Sequence, residues 1–384
     1  SGYKVNIRGI GTNGYSAPLY VIDGVAGGDI NAVSPTDIES IDILKDAATA
    51  AIYGARAANG VILVVTKRGH KGDFSVTYDG YFGVQNLYKM PTILNAKEFM
   101  SIQDESRVMN GNSPYDWSVF LPAHDLQAIN NGTWSGTNWL KEILNTDAPV
   151  QSHSVSFAGG NERSTFSIGL NYLGQEATMG VPGAFPKMDR YNARVNSDHI
   201  MIKKGNLDLL KVGESISYRF QEMDGNVPRG DIYWNTVRDA IKMSPLMHVY
   251  NSKGGYYMHQ DAKDDGYSWD MSGGGNRNPI AYMDYAANQN ISRSHFLNSS
   301  IYADLQPIKN LHLKTQFGFR MGFSSYRAYT PAYGQITETL SQDKDRVSQS
   351  MSNYHRWTWE NTASYSFSIN DHKIDALLGQ SMEK

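Results

Sequence analysis

The sequence contains no cysteine among its 384 residues. Disulfide bonds and thiolate metal sites are therefore excluded, although this absence does not identify a cellular compartment. The sequence also lacks any apolar run close to the roughly 20 residues that a membrane-spanning helix needs. No signal peptide is present, so we expect the chain to begin after processing or inside a domain of a longer protein.

Charged residues are scarce, at 19% of the chain, and they nearly cancel to a formal net charge of -3. This balance gives no indication of a nucleic-acid partner or an acidic membrane surface. The 10 histidines show no H-E-x-x-H pattern and no close pairing, and no G-x-S-x-G motif occurs. We therefore predict no metal site, no cofactor and no catalytic residues.

A literal G-x-G-x-x-G pattern occurs at Gly9, Gly11 and Gly14, which is the spacing of a dinucleotide-binding loop. That kind of loop requires a helix directly after the last glycine. Here the next apolar segment, Leu19–Ile22, reads as another strand. We therefore interpret the pattern as a glycine loop between strands.

The most informative stretch is Ile38–Gly69, which reads as a strand, a short helix, a tight turn and a second strand. Apolar and polar residues alternate over Ser40–Lys45, as in a half-buried strand. Asp46 is a suitable N-cap for an Ala-rich helical turn, and Asn59-Gly60 is a turn signal of the hairpin type. The β-branched run Val61–Thr66 predicts a strand buried on both faces.

These elements contain several motifs in a fixed order. The motifs are I-R-G at Ile7–Gly9, P-L-Y-V-I-D-G at Pro18–Gly24, D-I-E-S-I-D-I-L-K-D-A at Asp37–Ala47, A-A-I-Y-G-A-R-A-A-N-G-V-I at Ala50–Ile62 and T-K-R-G at Thr66–Gly69. In this order the sequence resembles the end of the plug domain of TonB-dependent outer-membrane receptors, in particular the SusC/RagA branch. That branch imports oligosaccharides or peptides.

From Phe74 onward, apolar and polar residues alternate over long stretches. Such runs predict β-strands with one apolar face. They reach roughly ten residues, the length that a tilted strand needs to cross a membrane. Counting them gives about nine strands, with apolar positions that include Val76, Phe157, Ile168, Val195, Ile216, Ile301, Phe317, Trp359 and Ile374.

The connections between these strands alternate in length. Gly159–Ser164 and Gln306–Asn310 are short, whereas long loops cover residues 86–152, 222–292 and 324–353. Short turns at one end and long loops at the other are typical of outer-membrane barrels. We therefore predict a mainly β fold, an antiparallel transmembrane β-barrel preceded by the end of a small α/β plug domain.

We place the C-terminal part of the plug domain at residues 1–69 and the N-terminal part of the barrel at residues 70–384. An odd number of strands does not close a single-chain bacterial barrel. We therefore expect the chain to be part of a larger receptor, cut at both ends. The resemblance implies a complete barrel of roughly twenty-two strands.

The sequence predicts helical segments before and between the strands. Ser34–Asp37 is typical of a capped turn with proline at its first helical position. Asn95–Asn110 reads as a helix with a capping pair at Asn95 and Glu98. Further helices are predicted at Asn138–Leu144, at Asp231–Ser244 with Asp231 as its cap, and from Asn278-Pro279 onward.

The longest loop interleaves aromatic rings with carboxylates, a combination that suits the apolar faces and hydroxyl groups of sugars. The candidate ligand-binding residues are Trp234, Tyr256, Tyr257, Asp264, Asp265, Tyr267, Trp269 and Asp270. The alternative is that these aromatic rings pack within the loop itself or against a partner.

Charged residues of the plug motifs are candidates for contacts with the inner wall of the barrel. The candidate residues are Arg8, Glu39, Arg56 and, on the barrel side, Glu360. Alternation over Trp357–Phe367 turns Glu360 toward the lumen, where we expect it to pair with Arg8 or Arg56. The alternative is that Glu360 is hydrated and has no plug partner.

Glu214 is an exception to the apolar pattern. Alternation over Leu207–Phe220 places it on the apolar face with Val212 and Ile216. A charge that faces the bilayer midplane costs up to a few kcal/mol. We therefore expect either a bulge near Gly213 or a contact between this face and protein.

The resemblance implies TonB-dependent import of a nutrient, with oligosaccharide as the first expectation, peptide as the second, and siderophore or cobalamin as the third. It also implies a SusD-like surface lipoprotein as a lid, the TonB complex as a partner, and outer-membrane lipid around the barrel. The resemblance places the segment that contacts TonB near the mature N-terminus, so we expect it to lie outside these residues. A different class of function is a soluble β-rich binding or adhesion protein, which would not depend on detergent.

Overall fold

The computed structural model describes residues 5–7, 16–28, 30, 33–45, 53, 57–225, 235–267, 277–336, 340–369 and 372–384. Its strands form one sheet of four strands and one sheet of nine. The small sheet belongs to the N-terminal unit, by which we mean the described residues between 5 and 69. We call the nine-stranded sheet the wall.

Each of the two inner strands of the small sheet is parallel to one neighbour and antiparallel to the other. Its strands are β1 (Leu19–Ile22), β2 (Val25–Ala26), β3 (Ile38–Leu44) and β4 (Val61–Thr66), in the order β2-β1-β4-β3. Strand β4 runs parallel to β1 and antiparallel to β3. A 3-10 turn at Pro35–Asp37 precedes β3 with proline at its start, as predicted, but the side chain of Ser34 forms no capping hydrogen bond with a described residue.

Strand β4 is buried on both faces, which confirms the prediction for this run. Val61 and Val64 are 0% and 1% exposed. Val61 belongs to a hydrophobic cluster with Val21, whereas Val64 belongs to a second cluster with Ile22. Strand β4 therefore connects two small hydrophobic cores.

Strand β3 is more exposed than its alternating pattern predicts. Ile41 and Ile43 are 52% and 49% exposed. The physical reason is that β3 lies at the edge of the small sheet. The helical turn predicted after Asp46 lies outside the described residues, and so does the glycine loop at Gly9–Gly14.

The wall contains nine strands, each hydrogen-bonded antiparallel to the next in chain order, as predicted. The first four strands are β5 (Gly72–Gln85), β6 (Ala148–Gly160), β7 (Ser164–Glu176) and β8 (Lys187–Lys204). The remaining strands are β9 (Leu207–Asp224), β10 (Ile291–Ile308), β11 (Leu311–Thr330), β12 (Arg346–Ile369) and β13 (His372–Glu383). This part of the wall is an open sheet with β5 and β13 at its edges.

One face of the wall carries a row of aromatic rings, one from each strand from β5 to β11. The row consists of Tyr78, His153, Tyr172, Tyr191, Phe220, His295 and Phe323. Neighbouring ring centroids lie between 4.9 and 6.3 Å apart. Aromatic girdles of this kind mark the membrane–water interface of barrels, so we call this the outer face.

Glu214 lies on the outer face, in unbroken register with Ser197 of β8 and Ile301 of β10. The predicted bulge near Gly213 is absent. The irregularity of strand register in this region lies instead on β8, around Ile200–Ile202. Glu214 lies six residues before Phe220 of the aromatic row, which corresponds to roughly 20 Å along a strand. The carboxylate therefore lies at the depth of the apolar band.

Glu214 is held by a short chain of polar contacts on the outer face. The hydroxyl of Ser197 donates to its carboxylate. The same hydroxyl lies 2.8 Å from Nε2 of His199, whose Nδ1 lies 3.0 Å from the hydroxyl of Ser164. Ser164 begins β7, so the polar chain leads toward the end of the wall that carries the short turns.

Long and short connections alternate along the wall, as predicted, but the third long loop is shorter than the predicted 324–353, because β11 continues to Thr330 and β12 begins at Arg346. The long connections cover residues 86–147 and 225–290 and contain seven helices within the described part of the chain. The helices are α1 (Ala96–Met109), α2 (Trp117–Phe120), α3 (Ala123–Asn131), α4 (Trp139–Glu142), α5 (Thr236–Lys242), α6 (His259–Asp264) and α7 (Pro279–Ala287). None of the described helices is long and apolar enough to cross a membrane.

The predicted helix starts are confirmed in three cases, one of which is Asn138 as the cap of α4, and the start of one helix is corrected. Asn95 and Glu98 form the expected capping box at the start of α1, and Asn278 caps α7. Helix α5 begins at Thr236, later than predicted, because the side chain of Asn235 accepts hydrogen bonds from the first backbone amides. Asn235 is therefore the cap of α5 in place of the predicted Asp231, which lies outside the described residues.

The helices of the two long connections pack together into what we call the loop unit. Its hydrophobic core includes Trp117, Ile129 and Trp139 from residues 86–147, and Leu246 and Ile280 from residues 225–290. Trp139 is fully buried, and its Nε1 donates to the carbonyl of Ser244 at 2.9 Å. The two connections therefore fold as one body above the wall.

Candidate functional site

The inner face of the wall contacts the N-terminal unit, and the strongest single contact is an ion pair. Nη2 of Arg194, on β8, lies 3.0 Å from Oδ1 of Asp37, and both side chains are 3% exposed. Nη1 of Arg194 also donates to the backbone carbonyl of Lys67 at 2.6 Å. One arginine of the wall therefore holds two separate segments of the N-terminal unit.

The other oxygen of the Asp37 carboxylate is held by the neighbouring strand. Nδ2 of Asn171, on β7, donates to Oδ2 of Asp37 at 2.7 Å. Oδ1 of the same amide accepts from the hydroxyl of Thr36 at 2.8 Å. Asp37 thus has a cation on one oxygen and an amide donor on the other, which are the partners that a buried carboxylate needs.

A second carboxylate, Asp23, joins the small sheet to β9. It accepts from the amide and the hydroxyl of Thr66, at 2.9 and 2.7 Å, and from the hydroxyl of Ser215 at 2.9 Å. Asp23 and Gly24 both have positive φ, at 49° and 85°, and form the tight turn between β1 and β2. Nε2 of Gln316 donates to the Asp23 carbonyl at 3.2 Å.

The segment that leads from β4 into the wall is held by side chains of β8. Nδ2 of Asn196 donates to the hydroxyl of Thr66 at 2.7 Å. Arg68 donates to both carboxylate oxygens of Asp198 at 3.3 Å. The hydroxyl of Tyr302 also donates to Asp198. Arg194, Asn196 and Asp198 alternate along one strand and therefore share its inner face.

Two glycines of the wall allow the N-terminal unit to approach closely. A Cβ added at Gly169 would lie 2.4 Å from Oδ1 of Asp37. A Cβ added at Gly318 would lie 3.1 Å and 3.2 Å from the two methyl carbons of Val25. The absence of a side chain at these two positions therefore lets the wall pack tightly against the N-terminal unit.

The predicted contact residues Arg8 and Arg56 lie outside the described residues, so their pairing with Glu360 remains a prediction. Glu360 lies on the inner face, as predicted, opposite Gln316. Burial, and after it the negative charge of Glu360, raises the pKa of Tyr53 in the N-terminal unit. The fourth candidate, Glu39, is exposed on β3, and its side chain forms no ion pair with another described residue.

The predicted ligand-binding residues are distributed between the core and the surface of the loop unit. Tyr257 and Tyr267 are 1% and 6% exposed and belong to the hydrophobic core. Asp264 and Asp265 are exposed, and Asp265 accepts a hydrogen bond from Tyr257 at 2.9 Å. Trp234, Trp269 and Asp270 lie outside the described residues. Ligand contact by these residues remains a prediction.

Tyr267 contributes to a buried polar contact that joins the two halves of the loop unit. Its hydroxyl donates to the carboxylate of Asp125, on α3, and Nε2 of His248 lies 3.1 Å from the same carboxylate. Burial alone would raise the pKa of Asp125, but hydrogen bonds from His248 and Tyr267 outweigh it and lower the pKa. The ring of His248 stacks on Trp134 at 4.3 Å.

The remaining predicted residue, Tyr256, belongs to a row of half-exposed rings that we call the tyrosine row. The row consists of Tyr250, Tyr256, Tyr285 and Tyr333, with successive ring centroids 5.6, 5.7 and 5.1 Å apart. The hydroxyl of Tyr256 donates to Asp284 at 3.0 Å. Burial, followed by the charge of Asp284, raises the pKa of Tyr256.

The wall side of the contact with the N-terminal unit was not predicted from the sequence. It consists of Arg194, Asn171, Asn196, Asp198 and Ser215. The sequence does contain a signal for these residues, because they occupy the polar positions of the alternating strands. An arginine and an aspartate at the inner positions of one strand are costly unless they are paired. Among the described residues, no group of histidines and carboxylates is arranged to hold a metal ion.

This chain is similar to several known proteins. The TonB-dependent Receptor Plug Domain family model matches residues 1–61. A TonB-dependent receptor of Formosa agariphila is 29% identical over 392 residues, which cover 99% of this chain and 35% of the relative. The TonB-dependent receptor SusC of Bacteroides thetaiotaomicron is 27% identical over 339 residues, which cover 83% of this chain and 31% of SusC.

The fold matches a solved structure over nearly its whole length. The RagAB peptide importer in its open-open state superposes with a TM-score of 0.77 at 24% identity, covering 98% of this chain and 42% of that chain. This likeness establishes the fold. The chain spans about a third of the length of the curated relatives that it matches.

Proposed function

This chain belongs to the SusC/RagA-type TonB-dependent receptors of the Gram-negative outer membrane, and we propose that it takes part in TonB-dependent import of an oligosaccharide. Its relatives are receptors and not enzymes. The soluble binding protein considered from the sequence is set aside, because the family is an outer-membrane one.

The observation that carries this proposal is the polar contact between wall and N-terminal unit. A plug that must leave its wall during each transport event needs contacts that water can replace. Arg194, Asn171, Asn196 and Ser215 supply hydrogen bonds and one ion pair. Such contacts contribute about 1 kcal/mol each when water can take the place of the partner.

Oligosaccharide is favoured as the ligand class by the tyrosine row. Sugars bind through stacking of their apolar faces on aromatic rings and through hydrogen bonds from their hydroxyl groups, in pockets with a few polar groups. Tyr250 is 49% exposed, and the carboxylate of Asp284 lies beside Tyr256. Peptide is the second candidate, because the structurally similar RagAB is described as a peptide importer. A siderophore or cobalamin is the third.

The whole receptor would require partners that this chain does not contain. We propose a SusD-like surface lipoprotein as a lid over the loop unit and the TonB complex as the source of force. We also retain the division into the end of the plug at residues 1–69 and the first part of the barrel at residues 70–384 as a proposal. The long connections would then face the cell exterior.

The test uses the complete receptor in its native cell. Cells are given a panel of fluorescently labelled oligosaccharides and peptides, with and without a functional TonB complex. We expect one oligosaccharide class to accumulate in the periplasm, and we expect this uptake to disappear without TonB while surface binding persists. If only peptides enter the cells, the ligand class is peptide and not oligosaccharide. Uptake that is unchanged without TonB would refute the proposed function.

A further inference from the structure

A groove crosses the outer face of the wall from β10 to β13, and its volume is about 550 Å³. Two adjacent cross-strand rows of residues line it, which begin at Ala303 and Leu305 on β10 and end at Gln380 and Leu378 on β13. Ala303 lies eight residues after His295 of the aromatic row, so these side chains point outward. The groove is therefore part of the surface that faces outer-membrane lipid.

The groove exists because small side chains lie beside larger ones. Ala303 and Ala363 are the smallest side chains of the two lining rows. The next row contains the large rings of Phe317 and Trp359. Nε1 of Trp359 donates to the hydroxyl of Thr315 at 2.9 Å, which fixes this ring at the edge of the groove. The floor of the groove is therefore mainly apolar, and one edge is aromatic.

The groove lies near the side of the apolar band that is opposite the aromatic row. Thr315 is eight residues before Phe323 of the row, which corresponds to roughly 26 Å along a strand. Strands tilt by about 35–45°, so the groove lies about 20 Å below the row in a band about 25 Å tall. Tyr365 and Phe367 stack beyond it on the same face, with ring centroids 5.3 Å apart. The groove therefore lies just inside the membrane boundary at the short-turn end of the wall.

Two amide side chains line the groove at this depth. Asn361 and Gln380 lie directly opposite each other on β12 and β13. Asn361 is half-buried and Gln380 is exposed, and neither side chain forms a hydrogen bond with another described residue. Their N–H groups are therefore accessible donors at the edge of the hydrocarbon layer, where an unpaired amide is unfavourable. An acceptor supplied by the membrane would satisfy them.

A phospholipid matches the groove in shape and chemistry. Each of its acyl chains is apolar and ends in an ester, whose carbonyl oxygen accepts hydrogen bonds at the edge of the hydrocarbon layer. The groove volume of about 550 Å³ lies within the range of about 300–1,000 Å³ for pockets that hold a small molecule. A sugar or a peptide in the same place would expose its own polar groups to lipid.

We propose that this groove, which we call the lipid groove, holds one phospholipid molecule of the periplasmic leaflet. One acyl chain lies against Ala303 and Ala363, and its ester carbonyl accepts hydrogen bonds from Asn361 and Gln380. The leaflet follows from the orientation proposed above, in which the long connections face the cell exterior and the short turns face the periplasm. The site does not depend on which nutrient is imported.

The experiment measures phospholipid binding by native mass spectrometry of the complete receptor in a nonionic detergent. Dipalmitoyl phosphatidylethanolamine is added in increasing amounts, and lipid A is the comparison. Asn361→Leu combined with Gln380→Leu removes both amides, whereas Ala363→Phe fills the groove and keeps them. Asn353→Leu is the matched control, because Asn353 is an exposed amide on the same face of β12, opposite Phe323, and does not line the groove.

We expect one phospholipid to bind the unchanged receptor more tightly than the later ones in the titration. Its affinity should fall by about tenfold in the double variant, because two hydrogen bonds are lost, and by at least as much in Ala363→Phe. Asn353→Leu should bind as the unchanged receptor does. Heat modifiability on gels identifies any variant that fails to fold, and the other groove variant then decides.

The inference is overturned if the unchanged receptor holds no tightly bound phospholipid, or if both groove variants bind as it does. An equal loss of affinity in Asn353→Leu would show that any change on the outer face has this effect, and would overturn it too. Tighter binding of lipid A would place the occupant in the other leaflet and refute the proposed lipid. If the groove variants separate a dimer and leave phospholipid binding unchanged, the groove is a contact between copies of this chain and not a lipid site.

Discussion

Arg194 and Asp37 form a nearly solvent-free ion pair across the contact between wall and N-terminal unit, with 3.0 Å between Nη2 and Oδ1. Arg194 also holds the carbonyl of Lys67, so the pair joins the 3-10 turn before β3 to the end of β4. Most of the sequence that carries the plug-domain motifs lies between these two segments. One wall residue therefore holds both ends of the segment from Asp37 to Lys67.

The first prediction concerns this pair. Arg194→Gln leaves the Asp37 carboxylate buried without a cation, and breaking a buried pair in this way costs on the order of 3–5 kcal/mol. We expect the N-terminal unit to be displaced from the wall at a lower force in single-molecule pulling. Arg68→Gln is the control, because Arg68 is 35% exposed and its pair with Asp198 should contribute about 1 kcal/mol or less. Equal effects of the two changes would contradict this account.

The second prediction concerns pH and the loop unit. The pKa of the Asp125 carboxyl is lowered in the folded protein. The carboxylate therefore contributes to stability at a pH above the pKa of the unfolded chain, which is about 4. This contribution is lost as the pH falls through the lowered pKa of the folded protein. We expect Asp125→Asn to destabilise the loop unit at neutral pH by about 1–3 kcal/mol.

Thermal unfolding followed by tryptophan fluorescence measures this effect, because Trp134 stacks on His248 beside Asp125. The difference between Asp125→Asn and the unchanged protein should shrink below about pH 4. Asp264→Asn serves as the control, since Asp264 is exposed and bonds to Gln260 within the same helix. A difference that grows on acidification would refute the assigned sign.

The third prediction concerns the tyrosine row. Tyr285→Ala removes the ring that joins Tyr256 to Tyr333. Loss of an aromatic contact worth about 0.5–1.5 kcal/mol should weaken oligosaccharide binding by roughly two- to tenfold. Tyr88→Ala is matched in chemistry but removes a fully exposed ring outside the row, so it should bind as the unchanged receptor does. Titration calorimetry on the complete receptor, with the oligosaccharide that cells take up, measures the affinity of both variants. An equal loss of affinity in both would show that the tyrosine row does not contact the ligand.

The fourth prediction concerns Glu214. Because its carboxylate lies on the outer face within the apolar band, Glu214→Leu should stabilise the membrane-inserted wall by up to about 2 kcal/mol. Glu222→Leu is the control for depth in the membrane. Glu222 lies on the same face as Glu214, two residues beyond Phe220, and pairs with Arg293. Glu222→Leu should have no stabilising effect. Urea unfolding in lipid vesicles measures both, and destabilisation by Glu214→Leu would indicate that this face meets protein.

The wall could be predicted from the sequence because its signal is local. Alternation has a period of two residues, so runs such as the one around Val195 reveal both the strand and its outer face. The short and long connections and the caps at Asn95 and Asn278 were equally readable, because capping depends on side chains within one turn. These features need no knowledge of distant contacts.

The contact between wall and N-terminal unit could not be predicted residue by residue. Asp37 and Arg194 are separated by 157 positions, and alternation shows that Arg194 points inward without showing what it meets. From the sequence, Tyr257 and Tyr267 are ligand-binding candidates, with packing inside the loop as the alternative, and the sequence does not decide between the two. They become core residues only because the distant connection at residues 86–147 supplies the rest of the core. Long-range packing decides both cases.

The central claim is that import requires the N-terminal unit to leave the wall, and a reversible cross-link tests it most directly. The chain has no cysteine, and a Cβ at Gly318 would lie 3.1 Å and 3.2 Å from the methyl carbons of Val25. Each methyl carbon is one bond from Val25 Cβ, so Val25→Cys with Gly318→Cys lies within reach of the roughly 3.5–4.5 Å between Cβ atoms that a disulfide needs. The measurement is TonB-dependent uptake of labelled oligosaccharide by cells that carry the complete receptor with both changes, and each single change is the control. We predict that uptake stops when the disulfide forms and resumes on reduction, while both single variants transport. Uptake at the unchanged rate with the disulfide fully formed would contradict the account.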